Sequence, residues 1–123
     1  MKKKLILVAS PPACGKTYVS ELIAGSMKQM VYLDKDDLGK MIRTAFAVSG
    51  NEVNMDGDFY KENLRDVEYT TILDIAFSAL RFEKYVLLNA PFIKEVRDIE
   101  YMRALKERAN DYKAQLFLIW VTA

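Results

Sequence analysis

The sequence predicts an α/β domain built on a mostly parallel sheet. Four short apolar, β-rich runs alternate with longer stretches of helical period, the pattern of strands joined by crossover helices. The first run is continuous rather than alternating, as a strand buried on both faces requires. A chain of 123 residues has room for one hydrophobic core, so residues 1–123 are expected to form a single domain.

The opening run, residues 5–9 (LILVA), follows Met1 and three lysines and superficially resembles a signal peptide. Five apolar residues fall short of the roughly 7–15 of a signal core and the roughly 20 of a spanning helix. The run therefore reads as a buried strand, and no other stretch is expected to enter a membrane. Val19, Leu22, Ile23 and Met27 then recur at helical spacing within residues 18–28. A second strand at residues 30–33 ends in the acidic cluster Asp34-Lys35-Asp36-Asp37. Helical spacing returns with Leu38, Met41, Ile42, Ala45 and Phe46, and the polar residues 49–58 read as a loop.

From residue 59 to about residue 82 the pattern predicts one long helix, with Tyr60, Leu64, Val67, Thr71, Ile75 and Leu80 near one face. Its aromatic residues Tyr60, Tyr69, Phe77 and Phe82 read as core or wall rather than as a platform for stacking bases. A third strand at residues 85–88 stops at Asn89-Ala90-Pro91, because proline cannot donate to a sheet ladder. Residues 96–109 are helical again through Ile99, Met102 and Leu105, and the last run is residues 116–121 (LFLIWV). An apolar final strand with no helix after it reads as an exposed edge. The domain is therefore expected to continue past residue 123, or a partner to cover the edge, as in a homo-oligomer paired through this strand.

Composition excludes several chemistries. Without histidine there is no Ser-His-Asp or Cys-His catalytic apparatus and no His-ligated metal. The single cysteine, Cys14, rules out an internal disulfide and a thiolate-held zinc or iron–sulfur site within one chain, which fits a cytoplasmic setting. A formal charge of +1 gives no field strong enough to argue for nucleic acid or a membrane surface as partner.

Residues 10–17 read Ser-Pro-Pro-Ala-Cys-Gly-Lys-Thr, which fits the phosphate-binding pattern G-x-x-x-x-G-K-[ST] at every defined position but the first. A G-K-[ST] triplet arises by chance in about one chain of this length in twenty, so context decides. Here it follows a buried strand and opens a helix, as the mechanism demands. Backbone amides of Pro12, Ala13, Cys14 and Gly15, so far as each carries one, would line a cup for the phosphates. Lys16 would supply an ammonium to the β- and γ-phosphates, and Thr17 a hydroxyl ligand for Mg²⁺. Ser10 in the place of glycine is a departure, since a left-handed φ there would cost about 1–3 kcal/mol. Cys14 reads as a small loop residue, not a nucleophile. The fold expected is a P-loop NTPase-type three-layer sandwich with four strands present.

Ligands of such sheets gather at the carboxyl ends of the strands, so the acidic cluster and Asn89 should face the same crevice as the loop. Asp36 is the candidate to orient and deprotonate an acceptor hydroxyl, and Asp37 the candidate helix cap. Asp34 and Arg43 are placed on the substrate side, and Arg97 with Lys16 and Asp36 among the catalytic residues, an arginine being suited to spreading phosphoryl charge. Asn89 stands where an acidic Mg²⁺-organising residue is usual. It could orient a metal-bound water but brings no charge.

With that loop, then Tyr32-Leu33-Asp34-Lys35-Asp36-Asp37 and Val86-Leu87-Leu88-Asn89-Ala90-Pro91-Phe92, the chain resembles the P-loop kinase-type ATP-binding proteins. That group includes zeta toxins, chloramphenicol phosphotransferase and polynucleotide 5′-hydroxyl kinases. The resemblance implies that Asp36 activates the acceptor hydroxyl, that the Asn89 strand lies beside the P-loop strand, and that the nucleotide is ATP with Mg²⁺. It also implies an arginine-bearing lid, a fifth strand and adenine contacts after the fourth strand, none of which this sequence contains. The expected function is transfer of the ATP γ-phosphoryl group to a hydroxyl of a small molecule or nucleotide. A nucleotide-binding NTPase or regulatory module is the alternative, and the activity of the chain on its own is left open.

Overall fold

A computed structural model of the chain describes residues 2–11, 15–27 and 29–122. Four strands, β1 (Lys3–Ala9), β2 (Met30–Asp34), β3 (Tyr85–Asn89) and β4 (Ala114–Trp120), form one sheet in the order β2-β3-β1-β4. Every pairing is parallel, with Val8 beside Asn89 and Asn89 beside Asp34. The sheet is thus wholly parallel, and the P-loop strand and the Asn89 strand are neighbours.

The apolar run of β1 divides between the two faces of the sheet. Leu5, Leu7 and Ala9 pack with Val86 and Leu88 of β3 against α4 (Arg65–Leu80) and α5 (Ile99–Asp111). Ile6 and Val8 pack with Leu87 on the opposite face, where Ile23 of α1 (Lys16–Ser26) covers them. Helices on both faces give three layers, and this is why residues 5–9 of β1 and 86–88 of β3 are wholly apolar. The second face is thinly covered: Tyr18 and Leu22 of α1 are exposed, as is Phe117 on the edge strand β4, while Trp120, also exposed, is level with Ala9 on the first face.

α2 (Gly39–Ser49) and α3 (Asp58–Asn63) sit apart from the sheet over a satellite core of Ile42, Phe46 and Tyr60. Between them, residues 51–57 carry no helix or strand, as expected. The long helix expected from residue 59 is instead two helices meeting at Leu64, whose backbone opens to φ −118°. Hydrogen bonds run through the junction, from Leu64 N to Tyr60 O and from Glu68 N to Leu64 O, so the break is a kink. The buried face also differs. Tyr69, Ile72, Leu73, Ala76 and Phe77 face the core, while Val67 and Ile75 lie exposed. Because α4 is apolar on several sides, periodicity alone could not select the stripe. Phe82 is exposed rather than part of a wall.

The segment after β3 is held tightly. Phe92 is fully buried at φ 50°, a left-handed conformation costing a non-glycine residue about 1–3 kcal/mol. Its ring packs edge-on to Tyr69 at 5.2 Å, and burial on that scale offsets the strain. Asp98 then caps α5 by accepting from the backbone of Glu100 and Tyr101.

Candidate phosphate and magnesium site

β1 ends at Ala9 and the next element is α1, opening at Lys16, the strand-then-helix order that the sequence pattern required. Gly15 caps the helix at φ 79°, a left-handed turn open to glycine without strain, and its carbonyl accepts the first helical bond from Val19 N. Among the described residues no side chain caps this helix, and no acidic residue lies in its first turn. The amides of the first turn and the positive end of the helix dipole are therefore left for an anion. Lys16 and Thr17 stand in that first turn. Pro12, Ala13 and Cys14, expected to line the same cup, lie outside the described residues. Ser10 does not take a left-handed φ. It is fully buried and its hydroxyl donates to Pro11 O at 2.8 Å, so the strain anticipated there does not arise.

Thr17, Asp34 and Asn89 converge across three elements. Asn89 is fully buried at the end of β3, and its Nδ2 reaches Tyr32 Oη and Asp34 Oδ2 at 3.1 Å each and Thr17 Oγ1 at 3.3 Å. Tyr32 in turn donates toward Asp34 Oδ2 at 3.4 Å. Burial, with the Asp34 charge adding to it, raises the Tyr32 phenol above its ordinary pKa, although the Asn89 contact opposes the shift. The amide has two protons for three acceptors, and its own Oδ1 is buried with no hydrogen-bond partner. An amide oxygen turned toward the Asp34 carboxylate would be repelled, which fixes the orientation of Asn89 as a donor into this cluster.

The acidic cluster is sorted by its backbone. Asp34 Oδ1 accepts from Asp36 N at 2.8 Å and so caps the short 3₁₀ turn Lys35–Leu38. α2 has Leu38 at its cap position and no side-chain cap, so the capping falls to Asp34 rather than to Asp37. Asp36 points outward, its side chain 76% exposed, with Lys35 Nζ at 3.4 Å. Lys35 itself is buried, 3.3 Å from Glu68 Oε1, and Glu68 also accepts from Tyr60 Oη. Sequence reasoning gave Lys35 and Glu68 no role, and read Tyr60, which is buried, as core or wall. A lysine between aspartates looks solvated until the fold brings a residue 33 positions away beneath it.

The candidate arginines are not gathered into the site. Arg43 is exposed, its guanidinium folded back within 3.0 Å of the position a Gly39 side chain would take, and Arg97 is exposed in the short 3₁₀ turn Glu95–Arg97. Arg65 is instead held in a two-pronged pair with Glu95 at 2.6 and 3.0 Å that ties α4 to the segment following β3.

These residues fit a metal carried by a nucleotide. Among the described residues no group of three or more acidic or cysteine side chains could hold an ion by itself. Mg²⁺ commonly takes one or two protein ligands and completes its shell from phosphates and water. Thr17 Oγ1 and the Asp34 carboxylate supply hard oxygen ligands of that kind.

The sequence profile of the family described as zeta toxin matches residues 1–76, which includes β1, α1, β2 and the acidic cluster. The chain belongs to the zeta toxin family. Solved structures place this zeta toxin family member in the P-loop kinase fold. They include a proposed kinase from Chloroflexus aurantiacus J-10-fl, 18% identical with a TM-score of 0.69, which covers 98% of this chain and 59% of that one. A chain of the Pnkp1/Rnl/Hen1 RNA repair complex is 13% identical with a TM-score of 0.62, covering 98% and 33%. A gluconokinase from Sinorhizobium meliloti 1021 is 15% identical with a TM-score of 0.55, covering 97% and 57%. This chain therefore spans less than two thirds of each of those proteins. No curated protein sequence matches it. Among the described residues no helix is long and apolar enough to cross a membrane.

Proposed function

We propose that this zeta toxin family member binds ATP with Mg²⁺ and transfers the γ-phosphoryl group to a hydroxyl of a small molecule or nucleotide. The observation that carries the reading is the uncapped amino end of α1. It presents Gly15, Lys16 and Thr17 beside a strand-end cluster of Asp34 and Asn89, with Asp36 exposed two residues beyond.

Amides at the start of α1 hold the phosphate tail, and the Lys16 ammonium draws charge from the β- and γ-oxygens. Thr17, with the strand-end residues beside it, would hold Mg²⁺, which neutralises charge developing on the transferring group. Asp36 accepts the proton of the acceptor hydroxyl, and Lys35 beside it restrains the carboxylate. Transfer of this kind is chiefly positioning and electrostatics, so the chain needs few groups but needs them fixed.

Asn89, which brings no charge to the end of β3, favours a second reading in which the domain binds nucleotide and water is the acceptor. ADP release measured across a panel of hydroxyl acceptors separates the two. Release that requires an acceptor supports the kinase; release without one supports hydrolysis. Failure of the protein to bind nucleotide removes both.

A further inference from the structure

We propose that Asp34, not the strand-end Asn89, supplies the carboxylate that organises nucleotide-bound Mg²⁺, its charge standing one strand away from the P-loop strand's immediate neighbour. The inference rests on the kinase reading only so far as that reading requires a Mg²⁺–nucleotide complex at Thr17. In the arrangement observed Asn89 turns its N–H groups, not the lone pairs of Oδ1, toward Thr17 and Asp34, so it is not the ligand for a cation held between those two. Parallel pairing sets Asp34 directly beside Asn89, so the two strand ends share one mouth. Asp34 Oδ2 and Thr17 Oγ1 contact the same nitrogen, which brings a carboxylate and the P-loop hydroxyl to one donor.

The remaining contacts of Asp34 suit this role. Oδ1 is committed to the backbone of Asp36, which fixes the side chain's rotation. Among the described residues Oδ2 receives Asn89 and the long contact from Tyr32. Two amide protons spread over three acceptors leave oxygen lone pairs incompletely used, and a cation or one of its waters would engage them. Asn89 then acts as a positioning residue: it holds Asp34 and Thr17 in register without adding a second charge, which would repel the first.

The test exchanges the two side chains. Asp34→Asn keeps a capping oxygen for Asp36 N, since asparagine caps as well as aspartate, and so removes charge while preserving the turn. Mn²⁺ with a non-hydrolysable ATP analogue is the probe. Bound Mn²⁺ is read by electron paramagnetic resonance, and analogue binding with metal chelated is measured separately. Asp34→Asn should weaken Mn²⁺ binding in the complex by about 10–100-fold while leaving metal-free analogue binding intact. Asp34→Asn combined with Asn89→Asp, which moves the charge to β3, should recover most of the loss. Unchanged Mn²⁺ affinity in folded Asp34→Asn overturns the assignment, as does a folded double variant no better than the single one. A wild-type chain that binds no analogue at all overturns the kinase reading along with it.

Discussion

At Gly15 the backbone turns through φ 79°, and a methyl group built there meets no neighbouring atom within 4 Å. The cost of Gly15→Ala is thus conformational rather than steric, about 1–3 kcal/mol for a non-glycine residue in that region. Urea unfolding should show a loss of that size unless the loop rearranges, in which case nucleotide binding should fail instead. Lys16→Ala separates charge from geometry at the adjacent position. It leaves the helix start intact, so stability should hold while nucleotide-dependent turnover drops by about 100- to 1,000-fold. Turnover equal to wild type in the Lys16 variant would remove the phosphate site as described. Gly15, Lys16 and Thr17 were legible in the sequence because their geometry is local, a strand end followed at once by a helix start. Asp34 as a cap was not, because three aspartates in four residues compete for the role and only the backbone decides among them.

At the scale of elements, the kink at Leu64 and the buried ion pair belong to one arrangement. Glu68 lies one turn into α4, below the acidic cluster, where it meets Lys35 from the end of β2 and Tyr60 from α3. Three separate elements are joined through one carboxylate. A straight helix with the stripe read from the sequence would have placed Val67 inward, yet Val67 is exposed and Glu68 is buried. Sequence reasoning assigned inward positions to apolar residues, and a paired charge in the interior breaks that rule without leaving a local mark. Glu68→Ala strands the Tyr60 hydroxyl and leaves the buried Lys35 ammonium with the exposed Asp36 as its acidic partner. Removing one partner of such a pair costs about 3–5 kcal/mol, whereas removing all the polar partners together does not. The variant combining Lys35→Met, Tyr60→Phe and Glu68→Leu should therefore unfold at a higher urea concentration than Glu68→Ala alone. If the combined variant is the weaker, the network is a net source of stability and not a fixed registration of α3, α4 and β2.

Across the whole molecule, the strands, the parallel direction and the three layers followed from the alternation of apolar runs with helical stretches, since each run had to be covered on both faces. The sheet order came from resemblance alone, because pairings such as Val8 with Asn89 join residues that no local pattern connects. The same non-local packing sets how the fold responds to alkali. Burial raises the phenols of Tyr69 and Tyr101 to about 12, and burial with the Glu68 hydrogen bond raises that of Tyr60 further. An unfolded tyrosine titrates near 10. Above about pH 10 the unfolded chain therefore holds fewer protons than the folded one, and stability must fall as pH rises. Below that point the contribution of these phenols is complete and should not vary with pH. Urea midpoints should therefore lose stability between about pH 10 and about pH 12, with phenolate absorbance from the buried tyrosines rising together with loss of helical circular dichroism. Tyr60→Phe removes one of the raised groups and should flatten that decline. Phenolate formation by the buried tyrosines well before any loss of structure would show that the α4 interface opens to solvent without unfolding, and that the packing of Tyr69 does not hold the sheet and α4 together as a unit.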